Sequence, residues 1–203
     1  LNKDYTVTYS KNKAVGKASV IIRGKNAYSG KITKTFTIVK AAKGKTYTVG
    51  KFKYTITGAK ADGTGTVAIS GTTYTRSDKK FASLTISDAV VIGGVKFKIT
   101  SVGANAFSRY SMLTSVVIGN NVTSIGSNAF VSCKNLKKVT IKSTKLKGVG
   151  AKAFSGTYSK VTFVLPKSKA ASYKKLIKNG SPSANAIYKS VSYTHLTLPT
   201  TSR

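Results

Sequence analysis

The sequence predicts a mainly β protein: a piece of β-sandwich, then a solenoid of short repeats closed by a short C-terminal helix. Three observations lead there. Val-Gly-Ala-Asn-Ala-Phe at Val102–Phe107 returns as Ile125–Phe130 and again as Val149–Phe154, with Phe107, Phe130 and Phe154 spaced 23 and 24 residues apart. A repeat this short cannot bury its apolar face alone and must stack on its neighbours. The first forty residues instead alternate apolar and polar side chains, the period of a half-buried strand. After Pro166 the spacing of Tyr173, Leu176 and Ile177 is helical and ends at Asn179-Gly180.

Taken in order, Tyr5–Tyr9, Ala18–Ile22 and Ile32–Ile38 are the three alternating runs, with turn chemistry at Asn12–Gly16 and Gly24–Gly30 between them. Three strands are a sheet without its full partner, so residues 1–40 are expected to be the C-terminal part of a β-sandwich. Residues 40–45 read as a linker. Strands are then predicted at Tyr47–Val49, Phe52–Thr57, Gly65–Ser70, Leu84–Ile86, Val90–Ile92 and Val95–Ile99, arranged as hairpins. Gly93-Gly94 marks a two-residue turn. The similarity of Leu84–Val90 to Val116–Val122 makes 41–98 the expected N-terminal cap of the solenoid.

The repeats proper, 99–165, carry a second pattern. Leu113-Val116-Ile118, Leu136-Val139-Ile141 and Tyr158-Val161-Phe163 place apolar residues at positions 1, 4 and 6 of a strand, facing inward. Thr114, Ser115, Val117, Lys137, Lys138, Thr140, Ser159, Lys160 and Thr162 are then expected to face outward, and they form the candidate binding surface. Residues 166–189 are the expected C-terminal capping segment, with Ser168 as helix cap. Residues 190–203 share nothing with the repeats and are expected to be non-native. The run Val191–Arg203 resembles translated sequencing-adapter read-through. Leu198-Pro-Thr-Thr201 imitates a sortase signal, but Ser202 stands where Gly is needed and no apolar stretch follows.

Composition narrows the chemistry. The chain has 203 residues, 35 Lys plus Arg against four acidic residues (Asp4, Asp62, Asp78, Asp88), and a net charge of +31. No Glu is present, and from Ala89 to Arg203 there is no side-chain carboxylate. General acid–base pairs of carboxylates and carboxylate metal sites are thereby excluded from the repeat half. Such a charge attracts polyanions: nucleic acid, anionic lipid, teichoic acids or acidic glycans. The lysines are scattered among Thr, Ser and Gly without an Arg cluster or an aromatic platform, unlike a dedicated nucleic-acid reader.

The lone Cys133 excludes an internal disulfide and a multi-Cys zinc site, and reads as a buried apolar side chain. A nucleophilic role would need a base, and the only imidazole is His195 in the tail. Gly148-Val-Gly150-Ala-Lys-Ala153 has the letters of a dinucleotide fingerprint but lacks its strand–helix setting and downstream acid. Gly44-Lys45-Thr46 ends like a phosphate loop, yet Val39 occupies the first glycine position. Asn121-Val-Thr123 is a formal glycosylation acceptor. No catalytic, metal or cofactor residue is nominated, and no run reaches the ~18 apolar residues of a membrane span.

Ile125-Gly-Ser-Asn-Ala-Phe130, Cys133-Lys-Asn-Leu136 and Val139-Thr-Ile141 closely resemble the leucine-rich repeats of BspA-like bacterial surface proteins. The third unit departs, with Thr157 for Cys and two residues missing before Tyr158. Asp4–Tyr9, Gly24–Gly30 and Lys34–Ile38 resemble bacterial immunoglobulin-like modules. The cap and Pro166–Leu176 look like the flanks of such arrays in Gram-positive gut bacteria. These resemblances imply a secreted or wall-attached, non-enzymatic adhesion or scaffold region, binding a protein, a glycan or an anionic envelope polymer. They leave two alternatives: an accessory region of a larger surface enzyme, and a cationic nucleic-acid binder.

Overall fold

The structure, a computed structural model, describes residues 4–10, 16–38, 42–60 and 64–192. Residues 12–15 of the expected turn Asn12–Gly16, residues 40 and 41 of the expected linker 40–45, Asp62, and the tail from 193 with His195 and Leu198–Thr201 lie outside the described residues.

β1 (Tyr5–Ser10), β2 (Gly16–Gly24) and β3 (Lys31–Ile38) form a three-stranded antiparallel sheet in the order β1-β2-β3. The turn between β2 and β3 closes with Gly24 N–H on Gly30 O at 3.1 Å.

The rest of the chain winds through two sheets. β4 (Thr46–Val49), β5 (Phe52–Ala59) and β6 (Gly65–Thr72) form an antiparallel meander. β7 is Ser83–Ile86 and β8 is Ala89–Ile92, and Gly93-Gly94 turns β8 back onto β9 (Val95–Val102). Both glycines have the positive φ that this tight turn requires, 58° and 83°. Each later rung contributes one strand to each sheet: β10 (Ser115–Ile118) with β11 (Ser124–Ile125), then β12 (Lys138–Ile141) with β13 (Gly148–Val149). β14 (Thr162–Pro166) and β15 (Ile187–Val191) follow. One sheet runs β15-β14-β12-β10-β7, all parallel. The other runs β13-β11-β9-β6-β5-β4, with β6, β9, β11 and β13 parallel.

The expectation of hairpins throughout 46–99 is therefore corrected. β6 pairs in parallel with β9, and β7 with β10, because Leu84 and Ile86 sit in register with Val116 and Ile118 and bury the same way. The internal likeness of these segments is a likeness of rungs.

A column of rings fills the coil. Phe107 stacks on Phe130 and Phe130 on Phe154, each pair 5.6 Å apart and within 11° of parallel. All three are fully buried. Phe81 and Tyr74 continue the column on one side, Phe163 and Tyr188 on the other. The loop that carries each Phe is itself a ladder: Phe107 N–H donates to Ala129 O at 2.9 Å, and Phe130 N–H to Ala153 O at 2.8 Å. This close approach explains the glycine of the motif. A Cβ on Gly126 would stand 2.5 Å from Ala104 N, and one on Gly150 2.4 Å from Ser127 N. Asn105, Asn128 and Lys152 each turn the chain with φ of 55–57°, a left-handed conformation that Asn tolerates better than Lys.

α1 (Ala170–Asn179) buries Tyr173 and Ile177, as its spacing predicts, with Leu176 half-buried. Ser168 does not cap it. A 3-10 turn over Lys167–Lys169 intervenes, so Lys169 holds the N-cap position without a side-chain bond. Gly180 ends the helix and accepts the Phe154 N–H at 2.8 Å. β15 was not expected: in Ile187–Val191 only Tyr188 and Val191 are partly buried, too faint an alternation to read as a strand.

Candidate functional site

The outward face of the five-stranded sheet carries the candidate surface. Strand residues alternate sides, so burying Val116 and Ile118, or Val139 and Ile141, turns the residues between them toward solvent. Parallel pairing then aligns them in two rows. Ser83, Ser115, Lys138, Thr162 and Ile187 form the first; Thr85, Val117, Thr140, Val164 and Lys189 form the second. Adjacent members are one strand spacing apart, about 4.8 Å.

The nine sequence-nominated residues divide accordingly. Ser115, Val117, Lys138, Thr140 and Thr162 stand in these rows. Thr114 and Lys137 immediately precede their strands and help bind rung to rung. Thr114 Oγ1 donates to Ala82 O at 2.8 Å, and Thr114 O accepts the Lys137 N–H at 2.8 Å. Ser159 and Lys160 are exposed but lie in the turn before β14, outside the rows.

The reason is a register correction in the third unit. Val139 pairs with Phe163, not with Val161, so Thr162 stands where Ser115 and Lys138 stand in their rungs. Tyr158, expected inward, is 37% exposed, and the Lys137 ammonium lies 5.6 Å over its ring. Val161 is fully buried in its stead. A signal for the true register is present in the sequence: Phe107 to Val116, Phe130 to Val139 and Phe154 to Phe163 all span nine residues. Ser83, Thr85, Val164, Ile187 and Lys189 complete the rows and were missed.

Chemically the face offers hydroxyls, short apolar side chains and two ammonium groups, which suits hydrogen bonding along an extended ligand. The lone thiol is remote from such work. Cys133 is fully buried, its Sγ donates to Phe107 O at 3.0 Å, and burial pushes its pKa up to about 11 despite backbone N–H groups of Tyr110 and Arg109 that favour the thiolate. Among the described residues, no three His, Cys, Asp or Glu side chains come together. Nor, among them, is any helix long and apolar enough to cross a membrane.

A coil of 23- to 24-residue rungs, with parallel strands on one wall and an Ala-Phe loop on another, defines a leucine-rich-repeat protein. Residues 100–201 match the family described as BspA type leucine-rich repeat region, in six copies. The chain belongs to that family. Comparison with curated proteins gives no match.

Among solved structures, the chain is similar to a leucine-rich cell surface protein from Faecalibacterium prausnitzii. Identity is 30%, coverage 62% of this chain and 34% of that one, and TM-score 0.45. A leucine-rich repeat protein from Bacteroides capillosus shows 25% identity over 61% of this chain and 83% of that one, with TM-score 0.47. The pneumococcal vaccine antigen PcpA shares the fold at 20% identity, over 62% of this chain and 33% of its own, with TM-score 0.51. The chain thus spans about a third of the Faecalibacterium protein and of PcpA.

Proposed function

We propose that this chain is a non-catalytic interaction region of a secreted or surface-attached bacterial protein, which holds an extended protein or glycan partner on its strand face. The observation that carries this reading is the pair of in-register rows, in which four of the five rungs present at least one hydroxyl. Many weak contacts at a fixed spacing add up on a ligand that is itself periodic, whereas one rung alone binds weakly. Membership of the BspA type repeat family supports surface interaction over catalysis.

In this reading residues 99–165 are the working repeats, 41–98 an N-terminal cap and 166–189 a C-terminal one. The sheet β1–β3 belongs to an immunoglobulin-like module N-terminal to the repeats. The cationic surface adds long-range attraction to acidic partners, screened beyond about 8 Å at physiological salt.

The test is a printed array of glycans and extracellular-matrix proteins probed with the chain and with a Thr140→Arg/Thr162→Arg variant. Binding to at least one class of spot is expected, falling about tenfold in the variant. A chain that binds nothing, or a variant that binds equally well, overturns the reading.

A further inference from the structure

The lysines of the repeat half do not gather on the strand face. Its two rows hold only Lys138 and Lys189. Five of the fourteen lysines after residue 99 instead lie beyond the strand ends of the five-stranded sheet. There a cleft of about 680 Å³ takes Lys142 and Lys145 after β12 and Lys167 after β14 from the repeats and cap, its remaining wall including Val191 and Ser192 from the start of the segment expected to be non-native. Thr144 lines this cleft and also a neighbouring one of about 360 Å³, to which Lys169 and Lys175 contribute from the 3-10 turn and α1. The two adjoin at Thr144 to give a channel whose lining, among the described residues, holds five lysines and no carboxylate. Asp88 borders the first cleft, accepting the backbone and side-chain N–H groups of the lining residue Asn120 at 2.6 and 3.0 Å.

Hydrogen bonds to buried groups hold the channel wall. Ser143 is fully buried, donates to Val122 O at 2.6 Å and accepts the Lys145 N–H at 3.0 Å. The Leu146 N–H donates to the buried Tyr173 hydroxyl at 2.9 Å. Two buried polar anchors thus fix the loop that carries Lys142 and Lys145, so little ordering is left for a ligand to impose. The one aromatic ring in the described lining, Tyr173, is only 2% exposed and offers no surface for a base to stack on.

We infer that this channel binds a linear chain of repeated phosphates that carries no bases. The inference rests on the surface-interaction reading above and adds to it a second, anionic subsite outside the strand rows. Inorganic polyphosphate and a poly(glycerol phosphate) wall polymer share the required chemistry.

Both are used as probes of the full chain, by titration calorimetry at about 0.15 M salt. The variant K142Q/K145Q/K167Q is compared with K137Q/K138Q/K160Q, which loses the same charge from the strand side, and with K169Q/K175Q. The channel triple is expected to weaken binding about tenfold or more, K169Q/K175Q about threefold, and the strand-side triple less than twofold. A stronger response to one probe identifies the source. Equal losses in both triples, or no loss in K169Q/K175Q, would reduce the effect to bulk charge and overturn the channel. Binding of oligo-dT as tight as polyphosphate would overturn the exclusion of bases. If neither phosphate probe binds while the array yields a hit sensitive to Thr140→Arg/Thr162→Arg, this inference falls alone; silence in both experiments removes both.

Discussion

Replacing Phe130 by Ala strikes the centre of the ring column. The side chain is fully buried and lies between two parallel rings, each 5.6 Å away. Truncating a buried Phe costs ~3–5 kcal/mol, and removing a ring partner on both faces places this site at the upper end, about 4–5 kcal/mol. At about 2–4 °C per kcal/mol for a chain this long, the melting temperature should fall by roughly 8–20 °C. The chain has eleven Tyr and no Trp, so urea unfolding is followed by tyrosine fluorescence beside far-ultraviolet circular dichroism. Lys138→Ala is the control: its exposed side chain should shift stability by less than about 0.5 kcal/mol. A Phe130→Ala midpoint as close to wild type as the Lys138→Ala midpoint would refute the shared interior.

Two further outcomes test separate features. Lys152 stands at φ 55° where the other two units have Asn, so Lys152→Asn should raise stability by roughly 0.5–1 kcal/mol in the same urea assay. Cys133 should resist thiol reagents at pH 8 until the chain unfolds. Its raised folded pKa means that stability is complete below about pH 9 and declines as pH climbs toward 11, because the unfolded thiol ionises first. A pH titration of the urea midpoint, compared with Cys133→Ala, measures that slope.

Much of this fold is written locally. The Ala-Phe loop, its glycine and the inward Leu-x-x-Val-x-Ile pattern recur within a few residues of each other, so the column and two of the three rungs can be read directly. The third rung misleads because Tyr158 offers an apolar residue at a plausible place. Only the unbroken nine-residue interval from Phe154 to Phe163 reveals the slip. β15 is hidden for a different reason: its order comes from pairing with β14, not from an apolar face of its own. The candidate surface was legible in outline, since outward positions follow from inward ones. Its true width was not, because Ser83 and Lys189 join it through pairing between segments far apart in sequence. Ser168 had the right chemistry for a helix cap, but a tighter turn displaced the helix start by one residue too many.

The glycines that let one rung touch the next also govern pitch. Gly126 and Gly150 leave no space for even a methyl group against the turn below, so the distance between successive coils is set by backbone against backbone. A scaffold fixed in that way works as a ruler: side chains on its outer wall can be exchanged freely while their separation stays constant.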